Sequence, residues 1–164
     1  MRTATVPTPA GPFTVVADDA VVLASGWTED VDDLLPLIAP ALRPVTVERV
    51  AHLGAVTDAV AAYVDGDLGA VDGIEVRQHS GPFLVEAWAV LRRVPAGAPV
   101  TYAELAAKAG RPDAVRAAAS ACARNAAALF VPCHRVVRTG GGLGGFRWGL
   151  DVKRWLLDHE APAA

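Results

Sequence analysis

Between Leu68 and Ser80 the chain runs through a glycine-punctuated connection, and the hydrophobic patterning differs on its two sides. Before it lie short runs rich in β-branched residues: Thr3 to Val6, Phe13 to Ala17 and Ala20 to Ser25. Such runs, divided by turn formers, are strand signals. Pro7, Pro9, Gly11 and Pro12 break the first run from the second, and Asp18-Asp19 between the next two marks a hairpin. Val31 to Ile38 reads as a brief helix disrupted by Pro36, and Arg43 to Val50 as extended chain. Val56, Ala59, Val60, Tyr63 and Val64 then share one face of a helix that ends near Gly66. Residues 1–78 are therefore expected to form a small α/β scaffold domain.

Beyond the connection the helical period takes over. Pro82 suits the first turn of a helix, and Phe83, Ala87 and Leu91 form an apolar stripe beside Leu84, Trp88 and Val94. Pro95, Gly97 and Pro99 interrupt the chain. Thr101 with Glu104 three residues on is a capping box, opening a helix that Gly110 closes. Pro112 and Asp113 are expected to start another, running to about Arg124. Two helices joined by a short glycine-containing turn make a helix-turn-helix. The second is mostly alanine, with Ser120 and Cys122, so Arg116 is its only long side chain before Arg124. The fold class is thus α/β: a small N-terminal α/β domain, then a mostly helical domain with a helix-turn-helix over residues 79–164.

The formal charge of −3 conceals an asymmetry. Residues 1–80 carry 4 Lys/Arg against 12 Asp/Glu, a net of −8, whereas residues 81–164 carry 11 against 6, a net of +5. A basic half on an acidic chain fits contact with an anionic polymer on one face. No apolar run approaches the roughly 18 residues that cross a bilayer. The N-terminus shows no secretion signal. Two cysteines, Cys122 and Cys133, are too few for a disulfide framework and point to a reducing, cytoplasmic setting. No metal-ligand spacing appears among Cys and His.

The stretch Val131-Pro132-Cys133-His134-Arg135-Val136-Val137 sets a thiol, an imidazole and a guanidinium side by side. A thiolate is a strong nucleophile, and a neighbouring base or cation makes it accessible near neutral pH. Taken alone, such a pair also fits a buried apolar cysteine beside a hydrogen-bonded histidine. It fits equally a cysteine hydrolase whose oxyanion hole is the Gly140 to Gly145 loop. The helix pair by itself fits a DNA-binding regulator or damage sensor without turnover.

The Pro-Cys-His-Arg-Val string closely resembles the active-site motif of the O6-alkylguanine-DNA alkyltransferases, also called methylated-DNA–protein-cysteine methyltransferases. The resemblance extends to Gly81-Pro82-Phe83 with Trp88, to Thr101 through Ala106, and to Arg116 and Arg124-Asn125. It continues through Gly144-Gly145-Phe146 and Lys153 to Glu160, and weakens before Gly81. It implies a DNA repair protein that transfers an alkyl group from O6-alkylguanine, and from O4-alkylthymine as a further lesion, irreversibly to Cys133. It implies a flipped-out nucleotide, with Arg116 filling the gap from a helix laid in the minor groove, and Tyr102, Ala117, Ser120, Arg124 and Arg135 on the DNA side.

By the same resemblance His134 takes the thiol proton through a water, Glu160 orients His134, Tyr102 donates a proton to the base, and Asn125 holds the turn beneath the cysteine. Pro132, Val136, Phe146, Arg147 and Trp148 are the expected pocket residues. The implied partner is double-stranded DNA, bound by a monomer, with no cofactor, no metal and no membrane. Two departures stand out: Ala126 replaces a proline common in the family, and Ala119 and Ser120 occupy positions often held by glycine.

Overall fold

The computed structural model describes residues 1–162 and divides into two units: Met1–His79 with Ala126–Phe130, and Ser80–Asn125 with the chain from Val131 onward. In the first unit the β-branched runs pair as antiparallel strands β1 (Arg2–Thr8), β2 (Gly11–Asp18) and β3 (Val21–Gly26). Pro7 and Pro12 lie opposite one another, so the Pro/Gly cluster is the end of a hairpin, not a break in the sheet. A two-residue β4 (Glu48–Arg49) adds in parallel beside β1, giving the order β3-β2-β1-β4. β2 is buried from Phe13 to Ala17, as a central strand must be. Helix α1 (Ala55–Val64) packs on β1 and buries Val56, Val60 and Tyr63.

Two expectations in this unit need correcting. Val31 to Ile38 is not a helix but two three-residue 3₁₀ turns, Val31–Asp33 and Leu35–Leu37, with Pro36 inside the second. Proline at the start of a turn costs no hydrogen bond, whereas a continuing α-helix would lose one there. Of Arg43 to Val50, only Glu48 and Arg49 pair as strand.

The segment Ala126–Phe130 returns to this first unit. The Ser25 N–H donates to the Ala126 carbonyl at 2.8 Å, and the Ser25 hydroxyl to the Ala128 carbonyl at 2.7 Å. The Ala126 N–H donates to Gln78 Oε1 at 2.9 Å. Phe130 meets Phe13 with ring centroids 6.2 Å apart. Within the segment Leu129 takes a left-handed backbone, φ 76°. That conformation costs a residue with a Cβ about 1–2 kcal/mol, so the surrounding burial must hold it.

In the second unit α2 (Pro82–Leu91) buries Ala87, Trp88, Val90 and Leu91, and the Trp88 indole donates to the Ala121 carbonyl at 2.8 Å. Short strand β5 (Val100–Thr101) leads into α3 (Tyr102–Lys108) through both halves of the capping box, each 3.1 Å long. Helix α4 (Val115–Ala123) follows and packs on α2 and α3. It begins three residues later than Pro112, because Pro112 and Asp113 form a turn ahead of it. β6 (Val136–Val137) pairs in parallel with β5, and α5 (Leu150–Glu160) closes the unit. No helix among the described residues is long and apolar enough to cross a membrane.

Ser25→Ala tests the anchoring of the Ala126–Phe130 segment. The change removes the hydroxyl that satisfies a buried carbonyl, which costs about 1–3 kcal/mol. Urea unfolding should show a lower midpoint by that amount, with an unchanged slope.

Candidate active site

The cysteine segment is built from its own backbone outward. Asn125, buried just past the end of α4, donates from Nδ2 to the Val131 carbonyl at 2.8 Å and so joins the two ends of the excursion through residues 126–130. Cys133 N–H then bonds to the Val131 carbonyl at 2.8 Å and Arg135 N–H to that of Pro132 at 3.0 Å. These bonds wind Cys133–Arg135 into one 3₁₀ turn, capped by the Val136 N–H on the Cys133 carbonyl. Pro132 suits the residue ahead of such a turn because its φ is already set near the required value.

Three charged or ionisable side chains converge beneath this turn. Glu160, at the last position of α5, accepts from His134 Nε2 at 2.8 Å through Oε2. Arg135 forks onto the same carboxylate, Nε to Oε1 and Nη2 to Oε2, both at 2.9 Å, while its Nη1 donates to the Val94 carbonyl at 2.8 Å. All three residues are buried. Burial alone would push Glu160 up, but the hydrogen bonds from His134 and Arg135 more than offset it and bring its carboxyl down to about 2. Burial lowers His134 despite the carboxylate beside it. The imidazole is therefore neutral and donates from Nε2, which leaves Nδ1 as a bare lone pair; that atom is buried and unpartnered among the described residues. Gly97 backs the carboxylate's helix end: it sits at φ 81°, and a Cβ there would lie 2.8 Å from the Glu160 carbonyl oxygen.

Burial pushes the Cys133 thiol up, opposed by a hydrogen bond from the Asn125 side chain and by the charge of Lys153. At rest, therefore, Cys133 is a protonated thiol and the next residue a neutral imidazole. Tyr102, half-buried at the start of α3, is also raised, first by burial and then by the two cysteines, so its phenol keeps its proton. The glycine loop crosses this phenol: at Gly144, φ 75°, a Cβ would stand 2.8 Å from the Tyr102 hydroxyl.

The remaining expected residues distribute unevenly. Arg116, Ser120 and Arg124 are exposed on α4 and at its end, and Ala117 is half-exposed. Phe146 and Trp148 are half-buried, and exposed Arg147 donates to the Ala123 carbonyl at 2.7 Å, tying the loop to the end of α4. Two assignments need correction. Arg135 does not face DNA: it is 3% exposed, and each of its three guanidinium nitrogens donates to Glu160 or to the Val94 carbonyl. Val136 does not line an open pocket: it is fully buried in β6, and what it offers the site is its carbonyl. That carbonyl accepts from Lys153 Nζ at 2.7 Å, a buried lysine to which the motif reading assigned no role. Its only sequence signal is its position in the apolar register of α5, three residues before Leu156.

The chain is similar to known proteins over most of its length. Residues 82–162 match the family model described as 6-O-methylguanine DNA methyltransferase, DNA binding domain. The chain is 38% identical over 156 residues to the methylated-DNA–protein-cysteine methyltransferase of Salmonella typhimurium, covering 93% of this chain and 91% of that one. The Shigella flexneri protein of the same name is 35% identical over the same shares. Among solved structures, Mycobacterium tuberculosis OGT in complex with DNA superposes with a TM-score of 0.80 at 27% identity, covering 99% of this chain and 96% of that one.

The carboxylate cluster sets a pH window for stability. Glu160 titrates at about 2 in the fold against an ordinary 4.5, so its contribution is complete above 4.5 and is lost as pH falls toward 2. At about 1.4 kcal/mol per unit this is on the order of 3 kcal/mol. His134, also lowered, adds a loss that begins below 6.5. Carboxyl-carbon NMR of the folded protein should find Glu160 titrating near 2, and a value at 4.5 would mean that the cluster does not form.

Proposed function

This chain belongs to the methylated-DNA–protein-cysteine methyltransferases, and we propose that it repairs O6-alkylguanine in double-stranded DNA by moving the alkyl group irreversibly onto its own Cys133. O4-alkylthymine carries its alkyl group on the same kind of exocyclic oxygen and falls within the same proposal. The observation that carries this reading is the bare, buried Nδ1 of His134, the residue next to a buried free thiol, with Nε2 already held by Glu160.

An O6 adduct is inaccessible in the stack, so the nucleotide rotates out of the duplex. The exposed Arg116, on a helix otherwise of small residues, fills the space left behind, and the low profile of that helix suits the narrow minor groove. The Cys133 proton passes through a water to His134 Nδ1, and Glu160 stabilises the imidazolium formed. The sulfur then forms a bond to the alkyl carbon as the carbon–oxygen bond breaks, its electron pair moving onto the base. The phenol of Tyr102 supplies a proton to a ring nitrogen as that charge develops, and the tyrosinate regains one from the imidazolium through solvent. In sum the thiol hydrogen is exchanged for the alkyl group and guanine is restored. A thioether has no ready reversal, so each molecule acts once.

Intact-mass spectrometry after incubation with an O6-methylguanine duplex is the direct test. Wild type should gain one methylene unit, mapped to Cys133, and Cys133→Ser should gain none while still binding DNA. A gain that persists in Cys133→Ser sinks the proposal. Arg116→Ala should slow repair of duplex DNA by roughly tenfold or more, because unstacking costs a few kcal/mol and each 1.4 kcal/mol is tenfold in rate. Its reaction with the free alkylated base should be unchanged. Equal losses on both substrates would place Arg116 in support of the fold.

A further inference from the structure

Lys153 is the most unusual charge in the second unit. It is fully buried on α5, and no carboxylate pairs with it among the described residues. The two acidic neighbours on its own helix, Asp151 and Asp158, are exposed, and Glu160 is committed to His134 and Arg135. A buried ammonium without a counter-ion is expensive, and hydrogen bonds to its protons only partly offset the loss of water. Its Nζ donates to the Val136 carbonyl at 2.7 Å and to the Gly145 carbonyl at 3.3 Å. An ammonium has three N–H donors, so one remains after these two carbonyls.

The position of that spare donor is set by the cysteine turn itself. Val136 caps the turn by bonding the Cys133 carbonyl, and Val136 in turn receives Lys153. Gly145 lies in the loop that crosses Tyr102. The ammonium therefore joins the cysteine turn to the glycine loop. The ionisable groups around Cys133 are Tyr102 on α3, Cys122 on α4, His134 in its own turn, Arg147 in the loop and Lys153 on α5. Tyr102 and Cys122 hold their protons, His134 is neutral, and Arg147 is exposed with a donor on Ala123. Lys153 is the one buried cation in that set: burial lowers it, and negative charge on Cys133 or Cys122 acts in the opposite direction and favours the ammonium.

We propose that Lys153 is a positioning residue for the nucleophile, a buried, preplaced ammonium whose charge stabilises the thiolate that forms at Cys133. It rests on the reading of Cys133 as the acceptor and adds to it the source of the compensating charge. When the proton leaves Sγ for His134, the negative charge on sulfur is met by the ammonium, which keeps all its protons. When sulfur bonds to the alkyl carbon the charge passes to the base, and the thioether is neutral. Preorganised charge of this kind needs no rearrangement at the moment of reaction. The two carbonyl bonds hold Nζ in place and explain why a lysine, with three donors on a flexible stem, occupies the position.

The test is the pH profile of Cys133 alkylation by iodoacetamide, followed by peptide mass mapping, in wild type and Lys153→Met. Iodoacetamide reads thiolate content without DNA, so failure here is distinguishable from failure of the repair reading. Loss of the charge should raise the apparent thiol pKa by at least one unit. The rate at pH 7 should then fall about tenfold, with the two curves converging at high pH. Superimposed curves, or a loss of the same factor at every pH, would overturn the proposal, the latter showing that Lys153 only supports the loop. Should Lys153→Met not fold, side-chain nitrogen NMR of Lys153 in the unsubstituted protein decides. Its titration should show a step that disappears in Cys133→Ser, and identical curves in the two proteins would overturn the assignment.

Discussion

The carboxylate of Glu160 is the point on which the second unit depends. One buried group terminates α5, fixes the tautomer of His134 and consumes the forked donors of Arg135. A buried carboxylate is tolerated only when its lone pairs are met, and here three donor atoms meet them. The arrangement works in both directions. Arg135 neutralises the charge that would otherwise be costly, while His134 is left with its base atom aimed away from the carboxylate. Removing Arg135 would leave the buried carboxylate without its counter-charge, and removing His134 would leave one of its lone pairs unmet, so structure and chemistry cannot be varied separately at this site.

Much of this was legible in the sequence, and the illegible parts share a cause. The hairpin at Asp18-Asp19, helix α1, the capping box at Thr101 and the strings around Cys133 are local signals, and local propensity decides them. The DNA-side placement of Arg135 rests on the family resemblance alone, and a string of neighbouring residues does not say which way a side chain turns. The burial of Arg135 is decided by Glu160, 25 residues away, and by the Val94 carbonyl, 41 residues away. Lys153 falls in a matching stretch but carries no role there for the same reason: a lysine in an amphipathic helix reads as solvated unless its carbonyl partners are known. The return of Ala126–Phe130 to the first unit is likewise non-local, since the partner that makes it legible is Ser25.

Small residues do as much at this site as the charged ones. Gly144 lets the loop pass against the Tyr102 hydroxyl, where a methyl group would overlap it, and Gly97 does the same at the Glu160 carbonyl. Both sit at positive φ, so two separate penalties act against a side chain at each. The alanines of α4 keep that helix narrow around Arg116. Space at these positions is therefore specified as closely as hydrogen bonds are elsewhere.

The balance of charges around Cys133 explains how a reactive thiol can be stored. Burial favours the neutral thiol, and with the base beside it also neutral, the resting site carries little nucleophilic charge. The groups that would favour ionisation are already in place: the Asn125 amide, the buried ammonium of Lys153 and the Glu160 carboxylate behind His134. Ionisation then depends on moving one proton from sulfur to the imidazole, with no large rearrangement of charge around it. A site organised in this way holds its thiol mostly protonated at rest. On the proposed function, a bound nucleotide excludes bulk water from the site, which strengthens every one of these interactions. Under the proposed function the nucleophile is spent in a single event, and that restraint then matters as much as reactivity itself.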